Sequence, residues 1–244
     1  MAFELLSYPS DAALAMAAAA DWLRQLEMRA GNSAYGVALS GGRIAKAFFT
    51  DIVRQVKAKP ETGKNIFQRV HFFWADERCV PPSDPESNYA IARQLLFEPL
   101  GIPEAQIHQL RGEGPEPLAL KEAVSDICNV MPVIRGQPVL DMIFLGMGED
   151  GHVASLFPGE PEAVMSDPAV YRAVTAVKPP PRRFTVGYGV IAAATEAWVL
   201  VSGAGKERAL AESLSPTGKT PLARVLRQRG RTRVVTDVEP RSGF

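Results

Sequence analysis

Cysteine is scarce in this chain of 244 residues, and the two that occur, Cys79 and Cys128, have no metal-type spacing. So few cysteines are typical of a reducing compartment, where disulfides are rare. The start, "MAFELLSYPSDAALA", lacks the basic segment of a secretory signal. The Ala-rich run from Ala12 to Ala20 is too short to span a bilayer. These absences predict a cytoplasmic protein with no membrane partner.

The chain also lacks an excess of charge, because Lys plus Arg and Asp plus Glu both number 27. A balanced charge predicts no general attraction to nucleic acid or anionic lipid, so any anion site must be local. No fixed-period repeat or long linker occurs, and the prolines at Pro81-Pro82 and Pro179–Pro181 are typical of loops. The length suits one domain over residues 1–244. The sequence leaves the oligomeric state open, with a monomer favoured.

Short apolar strands alternate with amphipathic helices along the chain. Ser10 is an N-cap candidate for a helix that ends near Gly31, and further helices are predicted over Arg43–Lys57, Asn88–Leu100 and Lys206–Leu214. The predicted strands are "YGVAL", "VHFFW", "VLDMIFLG", "AWVLVSG" and, at an edge, "RTRVVT". Continuous apolar strands between such helices predict an α/β fold with a mostly parallel sheet that is covered on both faces.

Four loops follow these strands, namely "SGGR", "ADERCVPP", "GMGEDGHVAS" and "SGAGK". Ligands of open α/β sheets bind at the carboxyl ends of the strands, so we expect these loops to face one crevice. In the first loop, Ser40, Gly41 and Gly42 lead into a helix whose N-terminus favours an anion. Arg43 can add a charge-assisted contact. The alternative for this loop is an ordinary turn with a solvated arginine.

Charged residues occupy two further loops. Asp76, Glu77 and Arg78 directly follow a buried strand, which is unusual because charges prefer solvent. The pattern favours a site in which Arg78 orients a substrate oxygen and Asp76 holds Arg78 or a sugar hydroxyl, with a solvated cluster as the alternative. Lys206 lies in the first turn of its helix, where the dipole disfavours a cation unless an anion is bound. Arg183, just before "FTVGY", can supply further positive charge.

The stretch "FLGMGEDGHVASLFPG" contains G-x-G-x-x-G, the form of a dinucleotide-binding fingerprint. Asp150 would place a carboxylate near the pyrophosphate, and Pro158-Gly159 would break any long helix, so nucleotide binding is disfavoured. The segment "SPTGKT" similarly lacks the first glycine of a P-loop. His152 is instead a natural base near neutral pH, with Asp150 to orient it. One histidine among scattered acids lacks the pattern of a metal site.

Five segments in succession, "SGGR", "FFWADERCVPPSDPESNY", "LGMGEDGHVASLFPG", "RFTVGYGVI" and "VSGAGKERAL", resemble the motifs of the 6-phosphogluconolactonases. The resemblance implies a single-domain, modified Rossmann-like fold with three α/β/α layers and no metal or nucleotide cofactor. It also implies hydrolysis of the lactone of 6-phosphogluconate, in the pentose phosphate pathway. The first loop departs from the family's usual SGG-Ser/Thr-Pro, because Arg43 to Ala45 supply no hydroxyl.

For this reaction, we expect His152 to take a proton from water and return it to the leaving oxygen. Arg78 would orient the lactone and stabilise charge on its carbonyl oxygen, while Asp150 and Asp76 would organise the site. The candidates for binding the phosphate are Ser40, Gly41, Gly42, Arg43, Arg183 and Lys206.

Deaminases and isomerases of amino-sugar phosphates, which resemble the sequence as far as its DGH, are the alternative enzymes. They continue to a glutamate five residues after the histidine, where this chain has Phe157, which cannot carry protons. They also tend to have tyrosine in place of Arg78. A non-catalytic sugar-phosphate sensor on the same fold is the alternative outside enzymes, and a turnover assay would distinguish it.

Overall fold

The computed structural model of the protein describes residues 3–29, 31, 33–59 and 66–240. Its strands are β1 (Phe3–Ser7), β2 (Tyr35–Leu39), β3 (Val70–Trp74), β4 (Asp76–Arg78), β5 (Val133–Ile134), β6 (Gln137–Pro138), β7 (Met142–Gly146), β8 (Tyr171–Thr175), β9 (Arg182–Val186), β10 (Glu196–Val201) and β11 (Thr232–Thr236). Its α-helices are α1 (Asp11–Met28), α2 (Arg43–Ala58), α3 (Asn88–Ala92), α4 (Glu98–Leu100), α5 (Glu116–Val130), α6 (Glu162–Met165), α7 (Tyr188–Ala193), α8 (Glu207–Leu214) and α9 (Pro221–Gln228).

The central sheet has six parallel strands in the order β1-β11-β10-β7-β2-β3. Successive side chains of a strand point to opposite faces, and every residue of β2 is buried. Both faces of the sheet are therefore covered there, as expected for strands with continuous apolar sequences. This arrangement confirms the predicted α/β class and its mostly parallel sheet.

Aromatic side chains fill the space between the first two helices and the sheet. Phe144 of β7 packs against Trp22 of α1 at a centroid distance of 5.1 Å and against Phe48 of α2 at 4.7 Å. Its third neighbour is Trp198 of β10, at 5.6 Å. Ser10 caps α1 as predicted, because its hydroxyl accepts the Ala13 N–H. The α1 and α2 helices are thereby fixed over the strands that lead into the candidate site.

The prediction that "RTRVVT" forms an edge strand is wrong. β11 lies between β1 and β10, and the strand at that edge of the sheet is β1, which the sequence did not reveal. Three of the five residues of β1 are exposed, and its sequence "FELLS" shows no continuous apolar run. In β11, Arg233 lies over the ring of Trp198 at 5.0 Å and pairs with Glu4 of β1.

A second, antiparallel sheet of three strands, in the order β4-β9-β8, was also not foreseen. The segment after β3 was predicted to be a loop, but Asp76–Arg78 pairs with the end of β9. Three consecutive charges give no apolar pattern for a strand. This small sheet nevertheless places two charged residues of the predicted site, Asp76 and Arg78, on a rigid element.

The predicted helix over Asn88–Leu100 is present, with a π-helical segment, Arg93–Phe97, between α3 and α4. Ser87 is its N-cap, with a hydroxyl that accepts the Ala90 N–H, and the side chain of Glu77, which is 3% exposed, binds further N–H groups there. The Glu77 carboxylate accepts the backbone N–H groups of Asn88 and Tyr89 at 2.8 Å each. Within the described ranges, no helix is both long enough and apolar enough to cross a membrane.

Candidate active site

The loops after β2, β3, β7 and β10 meet at one cavity of about 140 Å³, as the rule for parallel sheets predicts. All of the predicted site residues except Asp150 line this cavity: Ser40, Gly41, Gly42, Arg43, Asp76, Arg78, His152, Arg183 and Lys206. The sequence therefore identified the right loops. Asp150 does not line the cavity, but its carboxylate contacts the imidazole of His152, which does.

The imidazole of His152 is held by the residue two positions before it. Nδ1 of His152 lies 2.6 Å from Oδ1 of Asp150, and the backbone N–H of His152 donates to the same oxygen at 3.1 Å. Burial raises the pKa of Asp150, but the hydrogen bonds and charge of His152 lower it more, so its net pKa lies below the ordinary value. An ionised Asp150 accepts the proton of Nδ1, which leaves Nε2 of His152 as the basic nitrogen.

Gly148 leaves room for the His152–Asp150 pair. A Cβ at Gly148 would lie 2.1 Å from Nδ1 of His152 and 2.8 Å from Oδ1 of Asp150, both far inside van der Waals contact. The backbone N–H of Gly148 also donates to the His152 carbonyl at 2.9 Å, which closes the loop. In a dinucleotide-binding fingerprint the Gly-rich loop leads directly into a helix. Here the next helix begins only at Glu162. Gly148 therefore accommodates an imidazole rather than a pyrophosphate.

A positive region lies where α2 and α8 begin. Arg43 is the first residue of α2, and Lys206 is the N-cap of α8, one position before the helix rather than in its first turn as predicted. Burial lowers the pKa of Lys206, and Arg43 lowers it further, while Asp237 and Glu149 act in the opposite direction. Two cations beside two helix N-termini form a region where an anion is favoured.

Ser40 has a different role in the structure from the one its sequence suggested. Its hydroxyl donates to the Phe144 carbonyl at 2.9 Å, and the residue is 7% exposed. The hydroxyl hydrogen is thus used within the fold and is not free for a phosphate oxygen. The predicted contact of this loop with an anion therefore depends on backbone N–H groups and on Arg43.

Asp76 is buried at the cavity wall and belongs to a network that sequence reasoning missed. Its Oδ2 accepts the Ser155 hydroxyl at 2.8 Å, and Nδ2 of Asn88 donates to its backbone carbonyl at 2.9 Å. Asn88 lines the cavity itself, against Gly41, where a Cβ would lie 1.8 Å from Oδ1 of Asn88. The sequence analysis did not identify Asn88, in "SDPESNY", or Ser155, in "GHVAS", because neither residue belongs to a local pattern that indicates a site.

A sequence profile described as "Glucosamine-6-phosphate isomerases/6-phosphogluconolactonase" matches residues 9–235. The chain belongs to this family.

Three family relatives show how far the similarity extends. "Probable 6-phosphogluconolactonase 3, chloroplastic" from Oryza sativa subsp. indica is 34% identical over 215 residues, which cover 84% of this chain and 64% of that protein. The crystal structure of devB protein is 30% identical, with a TM-score of 0.84 and 96% of each chain covered. The structure of 6-phosphogluconolactonase from Trypanosoma brucei is 25% identical, with a TM-score of 0.80, and covers 96% of this chain and 95% of that one.

The chain thus spans less than two thirds of the length of its rice relative in this family. The two solved structures match it almost from end to end. They confirm the predicted family and its α/β fold. The single domain, the site roles and the cytoplasmic location remain predictions.

The other two histidines of this family member lie outside the cavity. Nδ1 of His71 is 2.9 Å from Nε2 of His108, and Nδ1 of His108 is 2.8 Å from Oδ2 of Asp126. The His108 ring also stacks on Phe73 at 4.4 Å. Within the described ranges, no group of three His, Cys, Asp or Glu side chains could hold a metal ion.

We expect His71 to make the stability of the fold depend on pH. Burial lowers the pKa of His71 below its ordinary value of 6.5, and His108 lowers it further while Asp126 opposes. Below pH 6.5 the unfolded chain therefore binds a proton that the folded chain binds less readily, so the free energy of unfolding should fall as the pH drops through this range. Urea unfolding of the wild type and of His71→Gln from pH 7.5 to pH 5 measures this. An equally steep pH dependence in the variant would contradict the assignment.

Proposed function

We propose that the chain hydrolyses 6-phospho-D-glucono-1,5-lactone to 6-phospho-D-gluconate in the pentose phosphate pathway, with His152 as the general base. The observation that carries the proposal is the His152–Asp150 pair at 2.6 Å, in a cavity lined by the cations Arg43, Arg78, Arg183 and Lys206. The pair supplies a base for water, and the cations match an anionic substrate. The relatives named 6-phosphogluconolactonase support the same reaction.

In the first step, Nε2 of His152 takes a proton from water while the water oxygen attacks the carbonyl carbon C1. Negative charge develops on the carbonyl oxygen, and the guanidinium of Arg78 is the donor we assign to it. Asp150 keeps the imidazole in the required tautomer and stabilises the imidazolium that forms. The C1–O5 bond then breaks, and His152 returns its proton to the ring oxygen.

The phosphate of the substrate would bind at the starts of α2 and α8. Arg43 and Lys206 provide the positive charge there, and the backbone of Gly41 and Gly42 comes close because these residues have no side chains. This arrangement also provides an alternative to the hydroxyls that the first loop lacks after Gly42.

Phe157 favours lactone hydrolysis over amino-sugar deamination. Its ring packs against the His152 imidazole at a centroid distance of 4.9 Å, so an apolar group adjoins the base. Opening an amino-sugar ring needs a relay of protons, and a phenyl ring cannot take part in one. The position beside the base is therefore suited to a reaction in which His152 and water exchange the protons between them.

The purified protein should accelerate hydrolysis of freshly generated 6-phosphogluconolactone well above the spontaneous rate, which must be subtracted. It should not release ammonia from glucosamine 6-phosphate. Dialysis against a strong chelator should leave the lactonase rate unchanged, because the mechanism needs only a histidine base and cationic side chains. A rate no greater than the spontaneous one would refute the proposal and favour a binding protein. Activity lost on chelation and restored by zinc or magnesium would refute metal independence.

A further inference from the structure

Two arginines of the cavity wall, Arg78 and Arg183, lie directly opposite each other in the β4–β9 ladder. Opposite residues of an antiparallel pair point to the same face, and both of these side chains line the cavity. Arg183 is 7% exposed, and the side chain of Arg78 is 19% exposed. Like charges at opposite positions are destabilising, and more so when water is largely excluded.

Backbone carbonyls, rather than carboxylates, hold the two guanidiniums in place. Arg183 donates to the carbonyls of Pro180 at 3.0 Å and Lys178 at 3.2 Å, and Arg78 donates to the carbonyl of Glu86 at 2.7 Å. The Glu86 carboxylate lies 3.5 Å from Arg78 but is 59% exposed. Nε of Arg78 is buried and has no partner among the described residues. The guanidiniums are thus fixed in direction, and their charges are only weakly neutralised.

Asp76 is the carboxylate on the same face of β4, two residues before Arg78. It can compensate one of the two positive charges, since it carries a single negative charge. Burial lowers the pKa of Arg183, and Arg78 lowers it further, while Asp76 and Glu86 oppose. The arginine pair therefore keeps an excess of positive charge that an anion in the cavity would neutralise.

This arginine pair and the positive region at Arg43 and Lys206 line the same cavity but are two separate groups of cations. The charges that act on Lys206 come from Arg43, Asp237 and Glu149. The two groups of cations stand on different elements, the β4–β9 ladder and the starts of α2 and α8. A ligand with two anionic groups can place one at each group of cations.

We propose that Arg78 and Arg183 form a second anion subsite, which binds the carboxylate that hydrolysis creates at C1 while the phosphate stays at Arg43 and Lys206. The inference rests on the proposed function and moves Arg183 from the phosphate to the C1 end of the ligand. C1 is neutral in the lactone. After water adds, the C1–O5 bond breaks, O5 takes a proton and the new carboxylic acid loses one. The subsite thus favours the product and the oxyanion that precedes it.

Two ligands that differ only at C1 test the subsite. By calorimetry, 6-phosphogluconate should bind the wild-type protein about tenfold to hundredfold more tightly than glucitol 6-phosphate, which has an alcohol in place of the carboxylate. Arg183→Gln should bring this ratio close to one. Lys206→Gln alters the group of cations assigned to the phosphate. It should weaken the binding of both ligands by similar factors and leave the ratio of their affinities unchanged. Arg93→Gln, at an exposed arginine paired with Glu98, should change neither affinity.

Arg183 also binds the backbone of the loop at residues 178–180, so replacing it could change the affinities by disturbing that loop. Arg78→Gln, which keeps those loop contacts, is therefore measured in parallel and should lower the ratio in the same way. A ratio near one in the wild type, or a wild-type ratio in a folded Arg183→Gln or Arg78→Gln protein, overturns the subsite. Lactone turnover by the wild type is measured separately. Turnover without the expected ratio would remove the subsite and leave the hydrolysis standing, whereas the expected ratio without turnover would leave a binding site and remove the hydrolysis.

Discussion

Replacing His152 with alanine should lower kcat for 6-phosphogluconolactone by about a hundredfold to ten-thousandfold, the usual contribution of general acid–base catalysis. The imidazole is the group that Asp150 orients toward the cavity, with Nε2 free to take a proton from water. KM should change much less, because the cations that bind the substrate remain in place. Steady-state kinetics, corrected for spontaneous hydrolysis, provide both constants.

His71→Gln is the matched control for the loss of a histidine. His71 bonds to His108 outside the cavity, so this variant should keep kcat near the wild-type value at neutral pH. A His152→Ala protein with a native circular dichroism spectrum and a wild-type kcat would remove His152 from the mechanism. A similar loss of kcat in both variants would point to a general disturbance of the fold.

Lys206→Ala should lower kcat/KM for the phosphorylated lactone by about tenfold to a hundredfold, as expected for one charge-assisted hydrogen bond. Lys206 is partly buried beside Arg43 at the start of α8, a position in which its charge is unfavourable until an anion binds. Turnover of unphosphorylated gluconolactone should barely change, since that substrate has no phosphate. The measured quantity is the ratio of the two kcat/KM values in the wild type and in the variant.

Lys121→Ala, at an exposed lysine of α5, is the control and should leave this ratio unchanged. If Lys206→Ala lowers kcat/KM equally for both lactones, Lys206 acts on the fold or on the reacting ring. The phosphate would then have to bind elsewhere in the cavity.

The loops of the site could be predicted because one physical rule connects them. Parallel strands place their carboxyl ends at the same edge, so charged and Gly-rich segments after the strands had to meet. The pairing of Asp150 with His152 could also be predicted, because only Gly151 separates them along the chain and a Gly-rich turn brings them together. In both cases the information is local in sequence, or follows from the class of the fold.

The unpredicted parts depend on contacts between distant segments. Asn88 fits against Gly41 and Asp76 through side-chain packing, which no local pattern in the sequence encodes. The β4–β9 pairing joins "DER" to "RRF", and neither segment has the alternation of a strand, so the opposition of Arg78 and Arg183 was not foreseen. Ser40 was predicted to bind the phosphate. Its hydroxyl instead donates to a backbone carbonyl of β7, a contact that no sequence pattern indicates.

The pairing of β1 with β11 affects how the protein folds as it is synthesised. β1 lies at the sheet edge, and β11 is its neighbour in that sheet. Nearly the whole described chain separates the two strands, and ribosomes add about 5–20 residues per second. The β1 segment therefore lacks its partner strand for on the order of ten seconds or more after its own synthesis. An apolar strand that is unpaired for this long would tend to associate with other chains. The exposed Glu4 of β1 is a charge of the kind that discourages such contacts, and after folding it pairs with Arg233 of β11.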